Sequence, residues 1–469
     1  MTTPEEPRPD PDDAEVHGLD VDDEEAPQSA EEELVEVLNA EDRDRIPGVR
    51  PVIACLGDGS DPDYEEAVQE HALRSLDLVR RGSNLGRVVE LQEDAEPALP
   101  STCSRRWDEA EPFVLPRMLE ASKVDGLDSR IALWEALRQP DALRTWIDSP
   151  DLGPTFEVLD RIPKLTDPAR DLERLALRAL QAKGAPSKEL WVKTSRLSTY
   201  EDDGSLRVRF SFGTEGIDDA SRDGVRHELV GRLAERVLPE ASAIRKCPAL
   251  ADRIEGWLGG RARFTQHIAY WNTPQGGALF HHDAFAESSV GGQKGVVYTQ
   301  LIGETFWIAL PIRRLAFRVI EFVRWLTEGD LPHLIEETLG GPAGLAQLQA
   351  LASDPDRTVA ELAKPGCGVL GVLVNQGPEF TGLLIDAGHG FWLGPGDAVV
   401  LPNHGYGKTA MHSVFCASPG PTYALSIAVR EAQPATPEPV RMGKSARPQN
   451  GPHRGGGRRR RSRGGRRGG

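Results

Sequence analysis

From Leu190 to the start of its arginine-rich C-terminus, the chain is cut into short apolar segments closed off by Gly, Pro or Asp. LWVKTSRLSTY and LRVRFSF flank the turn Asp202-Asp203-Gly204, and RFTQHIAYW, GALFHHD, GVVYTQLI and TFWIALPI follow further on. Segments this short and this closely punctuated read as strands, the first two as a hairpin. Many such strands favour a barrel or a sandwich. Two stretches break the pattern: about 221–238 reads as a helix, and so does 313–363, where Leu315, Val319, Phe322 and Val323 fall on one face. Strand-like runs then resume as VLGVLV, TGLLIDA, FWLGPGDAVVLP, MHSVFCA and TYALSIAVR. The expected fold class is α+β, an all-β body over 190–432 with a helical insertion at about 313–363.

Ahead of that body, RPVIACLGDGS within 46–59 reads as a short strand. The spacing over 64–81 and 117–183, with Leu133, Trp134, Leu137, Leu143 and Trp146, predicts helices broken at Pro140, Pro150, Pro154 and Pro163. A helical N-terminal region over 46–189 is therefore expected, with its Trp and Leu residues in the core.

The ends are opposite polyelectrolytes. Residues 1–45 hold 18 acidic and 3 basic residues, whereas 441–469 hold 11 basic and no acidic ones. Neither can bury enough apolar surface to offset the entropy of ordering, so 1–45 and 433–469 are expected to be disordered. The arginines of 454–467 suit phosphate, which points to a salt-dependent RNA, DNA or ribosome contact; pairing with the acidic N-terminus is the alternative. Without an aromatic residue the tail lacks a base-stacking platform. Five cysteines without regular spacing form neither a disulfide framework nor a zinc pattern. MTTPEEPRPDPDD lacks the basic and apolar regions of a signal peptide, and no apolar run has the length of a membrane span. A cytoplasmic protein without membrane contact is expected.

The chemistry gathers at Phe280-His281-His282-Asp283 and at His412. Two histidines and a carboxylate can form the facial triad of non-haem iron enzymes, which leaves three metal positions open. On a strand, alternate side chains share a face, so His281 and Asp283 would point together and His282 away. His404 also follows the turn Gly394-Pro395-Gly396-Asp397, but it lies in the loop NHGYGK, and His412 opens HSVFCA. Cys416 shares a face with His412 and reads as a small buried residue rather than a fourth ligand.

The order of HxD, the strand QLIGETFWIAL, LGPGDAVVLP and HSVF resembles the cupin-like JmjC family of iron(II)- and 2-oxoglutarate-dependent oxygenases. The resemblance covers roughly 260–310 and 368–432. It implies a double-stranded β-helix (jelly-roll) that holds Fe(II) through His281, Asp283 and His412. It also implies that oxidative decarboxylation of 2-oxoglutarate drives hydroxylation of a C–H bond, here of a protein substrate. Many members place a lysine two residues after the glycine of the strand following HxD, where it pairs with the far carboxylate of 2-oxoglutarate. In this chain Glu304 and Thr305 follow Gly303. A buried carboxylate needs a cation or several hydrogen bonds, and Arg430, Lys408, Lys294, Tyr298, Tyr270 and Thr305 itself are the candidates. The resemblance further suggests dimerisation through helices, so the insertion is a dimer surface, a lid, a substrate wall or inert packing.

Overall fold

Sixteen strands in three antiparallel sheets are present among the described residues of the computed structural model. Those residues are 44–432 without 56–61, 81, 149–154, 163–164, 166, 181–187, 201–202, 214–222, 285–291, 330–331 and 365–367. The expected acidic tail, apart from 44–45, lies outside them, as does the whole Arg/Gly-rich tail with its nucleic-acid or ribosome contact. Among the described residues no helix is long and apolar enough to cross a membrane.

The strands in chain order are β1 (Val52–Cys55), β2 (Ala72–Arg80), β3 (Ser83–Leu91), β4 (Phe113–Leu115), β5 (Phe156–Arg161), β6 (Asp171–Ala179), β7 (Lys188–Arg196) and β8 (Leu206–Ser211). They continue with β9 (Ala262–Asn272), β10 (Gly277–His281), β11 (Gln293–Ile302), β12 (Thr305–Pro311), β13 (Gly390–Leu393), β14 (Ala398–Pro402), β15 (Ala410–Cys416) and β16 (Thr422–Glu431). A small sheet has the order β1-β3-β2, a four-stranded sheet β10-β15-β12-β13, and a nine-stranded sheet β4-β14-β11-β16-β9-β8-β7-β6-β5. From β9 to β16 the chain passes back and forth between the two larger sheets.

Those two sheets face each other. Val296, Tyr298, Val399 and Ala424 of the nine-stranded sheet share one apolar cluster with Trp307, Ala309, Phe391 and Val414 of the four-stranded sheet. Each fully buried side chain of this size contributes about 1.5–3 kcal/mol to folding. No strand of one sheet pairs with a strand of the other among the described residues, so the arrangement is two facing sheets rather than a closed barrel. Outside the four-stranded sheet, Phe306, Ile308, Leu310 and Phe415 pack on the apolar face of helix Ile312–Glu328, where Leu315, Val319 and Phe322 lie as their spacing predicted. The other face of the nine-stranded sheet packs on helix Gly224–Val237 through Leu229, Val230 and Leu233.

Three expectations are corrected. The 46–189 region is not wholly helical: helices Pro62–Glu70, Pro100–Glu109, Arg130–Leu137 and Ala142–Ile147 share it with β1–β6. In β6, DLERLALRA buries every second residue; this period of two is a strand's, although its leucines can also be fitted to a helix. The segments VLGVLV and TGLLIDA are not strands but lie in helices Gly368–Gln376 and Pro378–Leu384 and the turn Ile385–His389. Leu370, Leu373 and Val374, three and four apart, are the buried apolar positions, and Pro378 opens its helix where a missing N–H costs nothing. The helical insertion therefore runs from Ile312 to His389 instead of ending near 363.

Candidate metal centre

β15 lies between β10 and β12, which sets His412 directly across from His281 on one side and Ala309 on the other. β10 reaches this register through two local devices. Gly277 has φ 129°, and a Cβ there would come within 2.1 Å of Val414 O, so only glycine lets the strands approach. Between Ala278 and His281 the pairing shifts by a bulge, with three steps on β10 matching two on β15, so both residues reach the same cavity despite their odd spacing. The strand then ends at His281. Asp283 is therefore carried by the turn after it and not, as expected, by strand alternation. Gln293 of β11 donates from Nε2 to the Asp283 carbonyl at 3.1 Å and ties that turn to the facing sheet.

The ligating atoms of His281, Asp283 and His412 lie within 4.8 Å of one another. His412 Nε2 is 3.8 Å from Asp283 Oδ2, and the two imidazole centroids are 4.2 Å apart. Two atoms each bonded to one ion at about 2.1 Å are separated by at most about 4.2 Å, so the His412–Asp283 gap already suits a single ion. His281 is exposed, Asp283 half-buried and His412 buried, which puts the triad at the mouth of a cavity. His281 Nδ1 lies 2.8 Å from the Leu279 carbonyl, and His412 Nδ1 lies 3.5 Å from that of Ala410. A carbonyl only accepts, so in these contacts Nδ1 carries the hydrogen and each Nε2 keeps its lone pair for a metal. Burial, with His281 beside it and Asp283 opposing, pushes the His412 pKa down to about 3. The imidazole is thus neutral, as a ligand must be, and its contact with Asp283 is not an ion pair. His282 is spent elsewhere: it accepts from Ala284 N at Nδ1 and donates from Nε2 to the Ala363 carbonyl, both at 3.1 Å.

Behind the triad, between the sheets, lies a cavity of about 220 Å³. Tyr270, Tyr298, Asn272, Ser426 and Trp307 supply its polar and aromatic wall. Burial, reinforced by Asp283, raises the Tyr270 pKa to about 12 and burial raises that of Tyr298 too, so both phenols stay protonated donors.

The other expected site residues separate. Thr305 is fully buried, donates to Gln300 Oε1 at 3.0 Å and accepts from Trp307 Nε1 at 2.9 Å, so its hydroxyl is committed to a network that also takes in the Tyr298 hydroxyl, 3.4 Å from Gln300 Oε1. Arg430 does not line the cavity; it is buried further along β16, donating from Nε to Thr265 Oγ1 at 3.2 Å. Lys408 is exposed, and neither it nor Lys294 lines the cavity. His404 Nε2 lies 2.7 Å from the Trp107 carbonyl and takes no part in the triad. Cys416 is buried and donates to the carbonyls of Ser418 and Gly420, both at 3.5 Å.

Arg207 and Arg209 of β8 also line the cavity and were not anticipated. Their signal was in LRVRFSF. Leu206, Val208 and Phe210 are core residues, so the arginines between them share the opposite face of a strand that is interior to its sheet. Compared with protein-family models and with curated proteins, the chain gives no match.

Proposed function

We propose that this chain is an iron(II)- and 2-oxoglutarate-dependent oxygenase of the cupin-like JmjC type that hydroxylates a protein side chain. The observation that carries the reading is the convergence of His281, Asp283 and His412 at the mouth of a cavity between two facing sheets. The strand orders β9-β16-β11-β14 and β10-β15-β12-β13, read within the two larger sheets, support a double-stranded β-helix. Two imidazoles and one carboxylate form a donor set suited to Fe(II).

When bound, the iron supplies the redox chemistry that couples decarboxylation of 2-oxoglutarate to C–H hydroxylation. The chain's own residues bind and orient. His281 and His412 are held in one tautomer by backbone carbonyls, and Trp307 stacks on the His412 ring at 5.5 Å and fixes its plane. Tyr270 offers a neutral O–H group to ligand oxygens, while the Tyr298 hydroxyl is tied to Gln300. Ile268, Val296, Leu401 and Val414 supply the apolar part of the cavity wall. A macromolecular substrate is supported by the exposed side of His281 and by a second hollow sharing Leu197 with the first, lined also by Tyr200, Leu279 and Asn375.

The test is anaerobic loading of the full chain with Fe(II), then binding and turnover of 2-oxoglutarate with succinate as the readout. Stoichiometric metal binding and turnover that vanish in His281→Ala and Asp283→Ala support the reading. Absence of 2-oxoglutarate binding to the metal-loaded protein refutes it. A second reading, a cupin metalloprotein indifferent to 2-oxoglutarate, is favoured by Thr305 in the place of the lysine. It requires metal-dependent activity with no response to the 2-oxo acid.

A further inference from the structure

We infer, resting on that reading, that Arg207 holds the metal-remote carboxylate of a dicarboxylic 2-oxo acid and so selects a dicarboxylate over a monocarboxylate.

The first ground is charge. Among the described residues lining the cavity, Asp283 is the single carboxylate, while Arg207 and Arg209 are both cations. With a divalent ion on the triad, the enclosed groups sum to three positive charges. Such a cavity is complementary to a dianion and leaves a neutral or singly charged ligand undercompensated. A dicarboxylate with one end on the metal and the other on an arginine is the simplest small molecule that meets this requirement.

The second ground is position. Arg207 stands directly across from Tyr270 in the β8–β9 pairing. Tyr270, Asp283 and Arg207 line the same cavity, so the guanidinium and the metal ligands face one enclosed space. Arg207 is half-buried, and its Nε is enclosed without a hydrogen-bond partner. A buried guanidinium N–H left in that state costs free energy that a carboxylate would recover, since charge-assisted pairs with arginine are commonly bidentate. Arg209 is less disposable: its Nη2 donates to Gln266 Oε1 at 3.1 Å and its guanidinium lies 5.6 Å from the Trp191 ring. It adds field and leaves the direct contact to Arg207.

The third ground is elimination. Thr305 is neutral and committed to Gln300 and Trp307, and Arg430, Lys408 and Lys294 lie outside the cavity lining. The cation has thus moved from the strand after HxD to β8, which precedes the eight strands β9–β16.

The test is calorimetric binding to the full chain loaded anaerobically with Mn(II), using 2-oxoglutarate and 2-oxopentanoate, which has the same chain length without the second carboxylate. Arg207→Ala is expected to weaken 2-oxoglutarate by about 30-fold or more and leave 2-oxopentanoate unchanged, Arg207→Lys to recover part of the loss, and Lys408→Ala to change neither. Mn(II) affinity and the thermal midpoint, measured alongside, are expected to hold in every variant. Equal weakening of both acids, or none of either, overturns the role of Arg207 while sparing the oxygenase reading. Failure of the wild-type protein to bind either acid removes both.

Discussion

His267 makes acid stability a quantitative test of this fold. It lies on β9 with no exposure, and neither ring nitrogen has a hydrogen-bond partner. Burial, with the Arg245 guanidinium adding to it, pushes its pKa down to about 3 from an ordinary value of 6.5. The native state therefore refuses a proton that the unfolded chain accepts. Stability from this residue is complete above pH 6.5 and is lost as pH falls from 6.5 toward 3, because the unfolded state binds the extra proton throughout that window. The loss is about 1 kcal/mol at pH 5.5 and about 3 kcal/mol at pH 4.5. Burial pushes the pKa values of His389 and His412 down as well, so both add to the loss of stability over the same acid window. In His267→Leu the slope of unfolding free energy against pH should fall by one proton, about 1.4 kcal/mol per pH unit. Urea unfolding of the metal-free protein at pH 7.5, 6.5, 5.5 and 5.0 measures it, and comparing slopes cancels the packing change common to all pH values. A variant slope equal to that of the wild type would refute the claim that His267 is buried neutral.

Other outcomes follow from the site and the core. His281→Ala, Asp283→Ala and His412→Ala should each weaken Mn(II) binding by about 100-fold or more in anaerobic calorimetry, with His404→Ala unchanged. Only His412→Ala among the three ligands should also cost about 2–4 kcal/mol in urea unfolding, since His281 is exposed and Asp283 half-buried. Gly277→Ala should lower stability by more than about 3 kcal/mol and weaken metal binding with it, because a Cβ cannot fit 2.1 Å from Val414 O; an unperturbed midpoint would sink that account. Arg130 and Glu240 form a buried pair at 2.7 Å that Tyr423 also bonds, and Arg130→Met should cost about 3–5 kcal/mol by stranding the carboxylate, with partial recovery in the double variant Arg130→Met, Glu240→Gln.

How much of this was legible depended on whether a local pattern had one physical solution. The segments that became β9–β12 and β13–β16 are short, apolar and bounded by turn residues, and a helix has no room there. VLGVLV and TGLLIDA look similar as strings and are bounded by Gly and Pro in the same way, and packing in the cluster with the helix Ile312–Glu328 decided for helix. His281, Asp283 and His412 could be picked out because metal ligation demands particular donors. Arg207 and Arg209 could not be placed, since nothing in the local string says that β8 joins the sheet beside β9. The bulge at Ala278–His281 was equally hidden, because register belongs to the partner strand as much as to β10.

The continuation of the sheet past β9 into β8 determines where this protein can be cut. A fragment starting at 262 would keep His281, Asp283 and His412 and every strand from β9 to β16, which is nearly the whole span of the family resemblance. It would also strip the outer edge of β9, leaving a long row of unpaired backbone donors and acceptors that invites association with other chains. The same cut would discard both arginines of the cavity. The smallest autonomous unit is thus larger than the part that carries the His281-Asp283-His412 triad, and a truncated domain would keep the triad and lack one wall of the cavity behind it.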